Sequence, residues 1–558
     1  MDFYLQLKKA NCKNCYKCIR HCPVKSIRFS DNQAHIVKEE CILCGQCFVN
    51  CPQGAKQIRN DVDRVKTLLN SGAPVYASIA PSFIANYPNS SICDMADALK
   101  KLGFADAFET AIGATDVKQQ YDAIVESEKQ DIVISSCCHS VNTLIQKHFP
   151  EALPYLAHVL SPMQAHCMAL KKQHPGARTV FIGPCISKKA EADQYEGIVD
   201  CVLTFEELTG WFAAEKIEID TTRGEEQGGI AALFPTTGGI LRSMACANPS
   251  YTYLTIDGVN NCMDALNDIV NGKLHHCFIE MSACVGSCIG GPAMDRDKHA
   301  PIRDFCEIDR YAGKRDFAVE TPVAAEKEKE FAFLGVTKTM PGSKAIEEIL
   351  KKMGKVKPED ELNCGSCGYN SCRDKAIAVL NGKADLTMCL PFLKEKAESF
   401  SDIIIENTPN GIIVLNEAYE VQQINSAALK LMNLSDSGSI LGDQVVRILD
   451  PEPFFTVVRE GKNIHDKRVY LAEYRRYVEQ TVIYDREYHL IMCIMRDVTG
   501  EELHKSKRDN ISRQTIEITD KVVEKQMRVV QEIASLLGET TAETKIALTK
   551  LKESLSDE

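Results

Sequence analysis

The sequence predicts a multidomain α/β protein built from five parts. Two four-cysteine runs near the N-terminus indicate a small cluster-binding domain within residues 1–60. From residue 70 to 320, apolar runs of strand length alternate with runs of helical periodicity, which is typical of a mostly parallel sheet covered by helices. After residue 399 cysteines become rare, and a strand-rich α+β region leads into a long helical pattern.

Composition restricts the classes of function. The chain has 558 residues, 44% of them apolar, so several domains with real cores are expected. A net charge of -12 argues against nucleic acid or an anionic membrane as the main partner. The 25 cysteines cluster at metal-ligand spacings, and neither a secretory signal nor a membrane-spanning run is evident. We therefore expect a reducing, cytoplasmic location.

The N-terminal part contains the repeated run Cys-x2-Cys-x2-Cys-x3-Cys-Pro, from Cys12 to Pro23 and again from Cys41 to Pro52. This run is typical of bacterial two-cluster ferredoxins, in which the fourth cysteine of each run serves the other cluster. One 4Fe-4S cluster is thus predicted on Cys12, Cys15, Cys18 and Cys51, and a second on Cys41, Cys44, Cys47 and Cys22. Zinc is the alternative, which the two matching runs disfavour.

Three further cysteine segments follow predicted strands in residues 70–320. Residues 132–134 lead into SSCC, residues 179–182 into GPCISKKAE, and residues 277–279 into EMSACVGSCIGG. Loops at the carboxyl ends of neighbouring strands converge on one crevice, so four cysteines could supply thiolates to one cluster: Cys138, Cys185, Cys284 and Cys288. The alternative is a set of buried structural cysteines.

These segments resemble the three signatures of the iron-iron hydrogenases. That family holds the H-cluster, a 4Fe-4S cubane bridged to a two-iron subsite with CO, cyanide and dithiolate ligands. The resemblance implies that Cys138, Cys185 and Cys284 ligate the cubane and that Cys288 bridges it to the subsite. Cys137 would hand protons to the subsite, and Lys188 would hydrogen-bond a cyanide. Further cofactor-binding positions implied by the resemblance are Pro81, Ser82, Gly183, Glu191 and Ser282.

The chain departs from high-turnover members of that family. Gly183 and Ser282 stand where those members carry methionine, and residues 119–121 read Gln-Gln-Tyr where they place acidic residues on the proton path. His139 and Val141 replace a proline and a tryptophan. General acid-base steps need a titratable group within hydrogen-bond reach, so we expect low turnover.

Residues 321–343 are charged and broken by Pro341-Gly342, which predicts a linker. Residues 338–395 then contain Cys-x2-Cys-x4-Cys-x16-Cys, which resembles a small FeS domain with one 4Fe-4S cluster on Cys364, Cys367, Cys372 and Cys389. Zinc is again the alternative. Three 4Fe-4S clusters are therefore expected in addition to the H-cluster.

Residues 399–500 resemble a PAS sensor domain in the order of their strands and helices, in the segment ENTPNGIIVLN and in the closing RDVTG. His465 and Cys493 are interpreted as ordinary surface or core residues, in preference to haem or flavin contacts. The cysteines without ligand spacing are interpreted as structural: Cys93, Cys167, Cys201, Cys246, Cys262, Cys277, Cys306 and Cys493.

Residues 501–558 form a predicted helical, coiled-coil tail. Its apolar stripe suits a parallel dimer or a partner helix and comprises Ile518, Val522, Val529, Ile533 and Leu536, with Ile546, Leu548, Leu551 and Leu555 beyond it. The alternative is a helix that packs on its own chain. No kinase, phosphatase or DNA-binding module follows, so output would pass to another polypeptide.

Together these features predict a sensory iron-iron hydrogenase that activates dihydrogen reversibly at low turnover and relays its redox state to the PAS domain. The expected partners are dihydrogen, protons, a redox protein, maturation factors, a signalling kinase or phosphatase, and a second copy of the chain. Two alternatives remain open: a metabolic hydrogenase that evolves or oxidises dihydrogen, and an electron-relay or scaffold protein without the two-iron subsite.

Overall fold

The computed structural model describes residues 3–8, 11–221, 228–245, 248–295, 300–335 and 340–555, without the side chains of 539, 540, 551 and 553–555. The chain divides into two compact units, Met1–Leu393 and Lys394–Glu558. Cys246 and the side chains of Leu551 and Leu555, which carried predictions, lie outside the described part. Within that part, every helix is either too short or too polar to cross a membrane.

The N-terminal domain contains two small antiparallel sheets. Leu5–Leu7 pairs with Lys56–Ile58, and Ile27–Ser30 pairs with Gln33–Ile36. The helices Lys17–Arg20 and Gln46–Val49 lie within the two cysteine runs, and the helix Val62–Leu69 follows the second run. This arrangement is the ferredoxin-like fold expected from the repeat.

The central region contains two parallel sheets where the sequence predicted one mostly parallel sheet. The four-stranded sheet has the order Asp106–Glu109, Val75–Ile79, Arg178–Gly183 and Cys201–Thr204. The three-stranded sheet has the order Thr252–Asp257, Cys277–Ser282 and Ile132–Ile134. Buried apolar strands suit either arrangement, because local sequence does not encode which strands pair.

Helices surround both sheets. They are Phe83–Asn86, Ile92–Lys101, Ala111–Ser127, His139–His148, Pro162–Gln173, Ser187–Gln194, Phe205–Glu215, Gly239–Ser243, Val259–Val270 and Pro301–Tyr311. Short 3-10 turns are Pro150–Tyr155, Ile230–Leu233 and Ser287–Gly290. The strands that precede the three signature segments all end toward one space between the sheets, which therefore holds the site.

The helix His139–His148 of the central region contacts the N-terminal domain. At its C-terminal end, Lys147 Nζ donates to the carbonyl of Cys41 at 2.9 Å, and His148 Nε2 lies 2.8 Å from the carbonyl of Glu40. Nearby, a Cβ on Gly45 would lie only 2.4 Å from Pro292, so the two domains meet closely at a glycine.

The segment predicted as a linker packs on the central region over residues 323–335, which we name the strap. The backbone amides of Val323 and Ala324 donate to Asp116 at 2.7 and 2.8 Å. Further along, the amide of Leu334 donates to the carbonyl of Gln146 at 3.0 Å. The charged composition that predicted a linker therefore also suits an extended segment held by backbone hydrogen bonds.

The FeS region contains the helices Ser343–Lys352 and Cys372–Leu380, with 3-10 turns at Pro358–Asp360 and Leu386–Met388. It packs on the N-terminal domain: the amide of Phe29 donates to the carbonyl of Lys383 at 2.8 Å, and Lys383 forms an ion pair with Glu40. The helix Leu390–Asn407 then crosses the chain boundary between the two units.

The second unit contains a five-stranded antiparallel sheet of order Val421–Ile424, Gly411–Asn416, Leu490–Asp497, Arg476–Asp485 and Ile464–Leu471. Its helices are Ser426–Leu431, Glu452–Glu460 and Thr499–Leu555, with a 3-10 turn at Val445–Arg447. Cys493 is buried, with Gln480 Nε2 3.3 Å from its Sγ, whereas His465 is exposed. Both positions agree with the interpretation as ordinary core and surface residues.

Candidate functional site

A cavity of about 100 Å³ lies between the carboxyl ends of the two parallel sheets. Predicted site residues that line it are Pro81, Ser82, Cys137, Cys138, Cys185, Lys188, Ser282 and Cys288. Cys284 lies beside this wall, close enough for its charge to interact with those of Cys138, Cys185 and Cys288. Gly183 and Glu191 are not part of the wall. The structure thus brings the four predicted thiols of the central region together.

The loop that carries Cys284 and Cys288 depends on glycine. Gly286 has a φ of +80°, and a Cβ on Gly290 would lie 1.9 Å from the carbonyl oxygen of Val285. The chain therefore turns back on itself tightly enough for both cysteines to face the same space.

Burial dominates the electrostatics of these thiols. It raises the pKa of Cys288 to about 12 and the pKa of Cys284 well above its ordinary value, and the neighbouring cysteines add to both shifts. Four converging thiolates would be desolvated and mutually repulsive, and a cationic iron core would relieve both costs. The donor set therefore fits an iron-sulfur cluster.

Lys188 connects the cavity wall to a buried carboxylate. Its Nζ donates to Glu191 Oε2 at 2.5 Å and to the carbonyl of Cys137 at 3.0 Å. Lys329, from the strap, contacts the other carboxylate oxygen of Glu191. Burial would raise the pKa of Glu191, but the ammonium groups of Lys188 and Lys329 lower it well below its usual range. Lys329 was not predicted, because its partner lies 138 residues away in the chain.

Cys137 has a separate partner. The hydroxyl of Tyr121 lies 3.2 Å from its Sγ and accepts a hydrogen bond from the amide of Ser136 at 3.0 Å. Burial raises the pKa of Cys137 to about 12, so the thiol holds its proton at neutral pH. The unusual tyrosine at residue 121 was visible in the sequence, but its contact with Cys137 was not.

Glu280 is a second group that sequence reasoning did not select. It lines the cavity, burial raises its pKa to about 7, and its Oε2 accepts from the amide of Leu241 at 3.1 Å. An acidic residue within an apolar strand was the available signal. His139, also buried, has a pKa lowered to about 3 by its burial.

The other three cysteine sets also gather as predicted. One cavity is lined by Cys12, Cys15, Cys18 and Cys51, and another by Cys364, Cys367, Cys372 and Cys389. The charge of Cys47 interacts with those of Cys41, Cys44 and Cys22, which places this set together as well. Across the part of the chain that the structure describes, no three His, Cys, Asp or Glu side chains are grouped to hold a single metal ion.

The set of Cys22, Cys41, Cys44 and Cys47 lies between the central region and the FeS region. Cys44 of this set is within electrostatic range of Cys284 in the central region. On the other side, Lys25 Nζ donates to the carbonyl of Gly368 at 3.0 Å and interacts with both Cys22 and Cys367. The cysteine sets therefore follow one another from the FeS region through the N-terminal domain to the cavity.

Fold and site together define an iron-sulfur protein with a cysteine-lined cavity in an α/β domain. Residues 73–292 match the family described as iron only hydrogenase large subunit, C-terminal domain. Residues 4–65 match the 4Fe-4S dicluster domain, residues 360–391 a putative Fe-S cluster family, and residues 399–465 the PAS domain. The chain therefore contains an iron-only hydrogenase large-subunit domain, a 4Fe-4S dicluster domain and a PAS domain.

Curated relatives agree with this composition. The periplasmic [Fe] hydrogenase large subunit of Nitratidesulfovibrio vulgaris is 26% identical over 370 residues, 52% of this chain and 85% of the relative. The cytosolic Fe-S cluster assembly factor NAR1 of Encephalitozoon cuniculi is 26% identical over 201 residues, 31% of this chain and 55% of the relative.

Solved structures are more distant. An [FeFe]-hydrogenase of Chlamydomonas reinhardtii has 17% identity and a TM-score of 0.38, covering 50% of this chain and 100% of its own. The PAS domain of an HTR-like protein from Haloarcula marismortui has 20% identity and a TM-score of 0.16, covering 19% of this chain and 94% of its own.

Proposed function

We propose that the protein is a sensory iron-iron hydrogenase that activates dihydrogen reversibly, at low turnover, and passes its redox state to the PAS domain and a partner protein. The observation that carries this proposal is the cavity on which the thiols of Cys138, Cys185, Cys284 and Cys288 converge beside the polar groups of Cys137 and Lys188.

The proposed cofactor is the H-cluster, whose cubane Cys138, Cys185 and Cys284 would hold, with Cys288 as the fourth thiolate that would hold the cluster. When bound, this cofactor supplies the reversible splitting of dihydrogen into protons and electrons. The described residues fit it, since thiols that converge on the cavity match the iron core and the Lys188 ammonium group matches an anionic ligand such as cyanide.

Cys137 is proposed to hold the transferred proton. Its high pKa keeps the thiol protonated, and the only proton relay partner seen among the described residues in direct contact with its Sγ is the hydroxyl of Tyr121. Burial raises the pKa of Tyr121 well above its ordinary value. A hydroxyl of that kind exchanges protons less readily than a carboxylate with a pKa near neutrality. Glu280 is such a carboxylate on the same wall, but the hydrogen bond described for Cys137 Sγ is made to Tyr121, which supports low turnover.

Electrons are proposed to travel along the series of cysteine sets. The proposed order is cavity, Cys22 set and FeS set, with the cluster on Cys12, Cys15, Cys18 and Cys51 as a side branch. The FeS region is followed in the chain by the PAS domain, and coupling would require that the two redox states favour different PAS conformations.

The test is infrared spectroscopy of anaerobically matured full-length protein, first under argon and then under dihydrogen. Metal-bound CO and cyanide bands that shift with the gas, together with turnover far below that of metabolic hydrogenases, would support the proposal. Shifting bands with high turnover would favour a metabolic enzyme. Absence of the bands after competent maturation would reject an H-cluster.

A second candidate is an iron-sulfur scaffold or relay protein without the two-iron group, which the similarity to NAR1 favours. This candidate needs the thiols that hold a cubane but assigns no task to Cys137 or to the buried pair of Lys188 and Glu191. Iron analysis distinguishes the two, since the scaffold would contain four iron atoms at the cavity and no CO or cyanide.

A further inference from the structure

Lys329 is fully buried in the protein interior and is surrounded by specific partners. Its side chain is 0% exposed, its Nζ contacts Glu191, and the faces of the Tyr195 and Phe331 rings lie 5.1 and 5.7 Å from the same atom. The backbone amide of Lys329 also donates to the carbonyl of His158 at 3.1 Å. A lysine buried in this way has lost its hydration and must be compensated by its partners.

Three charges meet at this point. Lys188 and Lys329 each bind one oxygen of the Glu191 carboxylate, and the carboxylate is 0% exposed. Without Lys329, the positive charge of Lys188 and the negative charge of Glu191 would cancel. With Lys329, the group carries one net positive charge, and only Lys188 of the three lines the cavity.

We propose that Lys329 is a positioning residue that acts through Glu191. By compensating the carboxylate, it leaves the charge of Lys188 available to an anionic group in the cavity. The strap is thus part of the site, although it lies beyond the matched hydrogenase domain at residues 73–292. This inference rests on the proposed function, because the anionic group concerned is the cyanide-bearing two-iron group.

Two substitutions change the net charge of this group in opposite directions. Lys329→Met keeps an unbranched apolar stem of similar length against Tyr195 and Phe331 but lowers the net charge of the group to zero. Adding Glu191→Gln returns the net charge to plus one. A role in packing alone would not be repaired by this second change, whereas a role in charge compensation would be.

The experiment uses full-length protein matured anaerobically with the two-iron group. Lys329→Met should retain less of that group than wild type and should show shifted cyanide bands in the infrared spectrum. Lys329→Met with Glu191→Gln should recover both loading and band positions toward wild type. Lys327→Met, an exposed lysine two residues away on the same strap, is the matched control and should match wild type.

Wild-type loading and bands in Lys329→Met would overturn the inference, as would a double variant that is no better than Lys329→Met. Should Lys329→Met fail to fold, the folded double variant with wild-type bands would support charge compensation, and an unfolded double variant would assign Lys329 to packing. Failure of the proposed function is a different result, since wild-type protein itself would then lack CO and cyanide bands.

Discussion

The hydroxyl of Tyr121 lies 3.2 Å from Cys137 Sγ, and both side chains are enclosed in the central region. The same hydroxyl lies 3.3 Å from Ser136 Oγ, whose own hydroxyl donates to the carbonyl of Val159. Tyr121 is thus fixed by a short network that leads from the cavity wall to the backbone of Val159, and any proton leaving Cys137 by a direct contact meets a hydroxyl of high pKa.

Tyr121→Phe should slow proton exchange at the cavity without preventing cofactor loading, because only the hydroxyl is removed. We expect the rate of hydrogen-deuterium exchange with dihydrogen to fall by about tenfold, which is less than a positioned acid-base group usually contributes. The measurement is isotope exchange by mass spectrometry, with infrared spectra as the loading check. Tyr87→Phe, which removes a hydroxyl bonded to Thr209 at 2.9 Å, is the control. Equal exchange rates in Tyr121→Phe and wild type would contradict this role.

The positions of the site cysteines could be predicted because each follows a short apolar strand. The three strands were expected at residues 132–134, 179–182 and 277–279 and are found at Ile132–Ile134, Arg178–Gly183 and Cys277–Ser282. The presence of two sheets could not be predicted, since pairing between distant strands depends on packing that no local pattern records.

The charged surroundings of the site were harder to predict. Lys188 and Glu191 lie three residues apart on one helix, so their contact follows from helical geometry. Lys329 reaches Glu191 only because the strap folds back, and a segment of charged residues carries no periodicity that would indicate this. Glu280 was overlooked because the strand pattern around it favoured a core position.

The exchange of fourth cysteines between the two ferredoxin runs can be tested directly. Cys51 lines the cavity of Cys12, Cys15 and Cys18, although it belongs to the second run. Cys51→Ala should therefore weaken or abolish the same electron paramagnetic resonance signal as Cys12→Ala, and Cys47→Ala should affect a different one. A shared signal for Cys51→Ala and Cys47→Ala would contradict the pairing.

Contact between the FeS region and the N-terminal domain depends on Gly368. Its φ is +91°, and an added Cβ would lie 3.0 Å from Ile19 Cβ. Gly382 has a φ of +66° but open space around its Cβ position, which makes it the matched control for backbone strain. Gly368→Ala should destabilise the chain by about 1 to 3 kcal/mol more than Gly382→Ala, because it adds overpacking to the same strain.

The measurement for this pair is chemical denaturation of the full chain, combined with spin coupling between clusters. We expect weaker coupling in Gly368→Ala, because the FeS region moves away from the Cys22 set. Equal denaturation midpoints and equal coupling in the two variants would show that Ile19 yields without cost.

Glu109 should make stability depend on pH. Burial raises its pKa to about 7; Tyr311 donates to its Oε2 at 2.7 Å, and Oε1 has no hydrogen-bond partner among the described residues. The folded chain therefore binds this proton more tightly than the unfolded chain. The stabilisation is fully present below about pH 4.5, the ordinary pKa of the group, and is lost as pH rises toward 7.

Between pH 4.5 and 7, the free energy of unfolding of wild type should fall by up to roughly 3 kcal/mol relative to that of Glu109→Gln. The glutamine stays neutral and keeps an acceptor for Tyr311. The measurement is the difference in Tm between the two proteins at several pH values. Glu126→Gln, an exposed position in the same region, should leave a pH profile parallel to wild type. A Tm difference that is constant between pH 4.5 and 7 would contradict the assignment.

The terminal helix Thr499–Leu555 leaves its apolar stripe exposed in the single chain, with Val522 at 53%, Val529 at 44% and Leu536 at 63%. These three residues recur every seven positions, which is the spacing of a coiled-coil seam. Val529→Glu would place a carboxylate from each copy within that seam, where desolvation and repulsion both oppose association. We therefore expect the variant to raise the dimer dissociation constant by at least about tenfold, equivalent to about 1.4 kcal/mol.

The control Gln531→Glu adds the same charge on the opposite face of the helix and should leave the dimer intact. Sedimentation of the full chain over a range of concentrations decides the question: a wild-type chain that remains monomeric throughout would assign the stripe to a partner helix instead of a second copy.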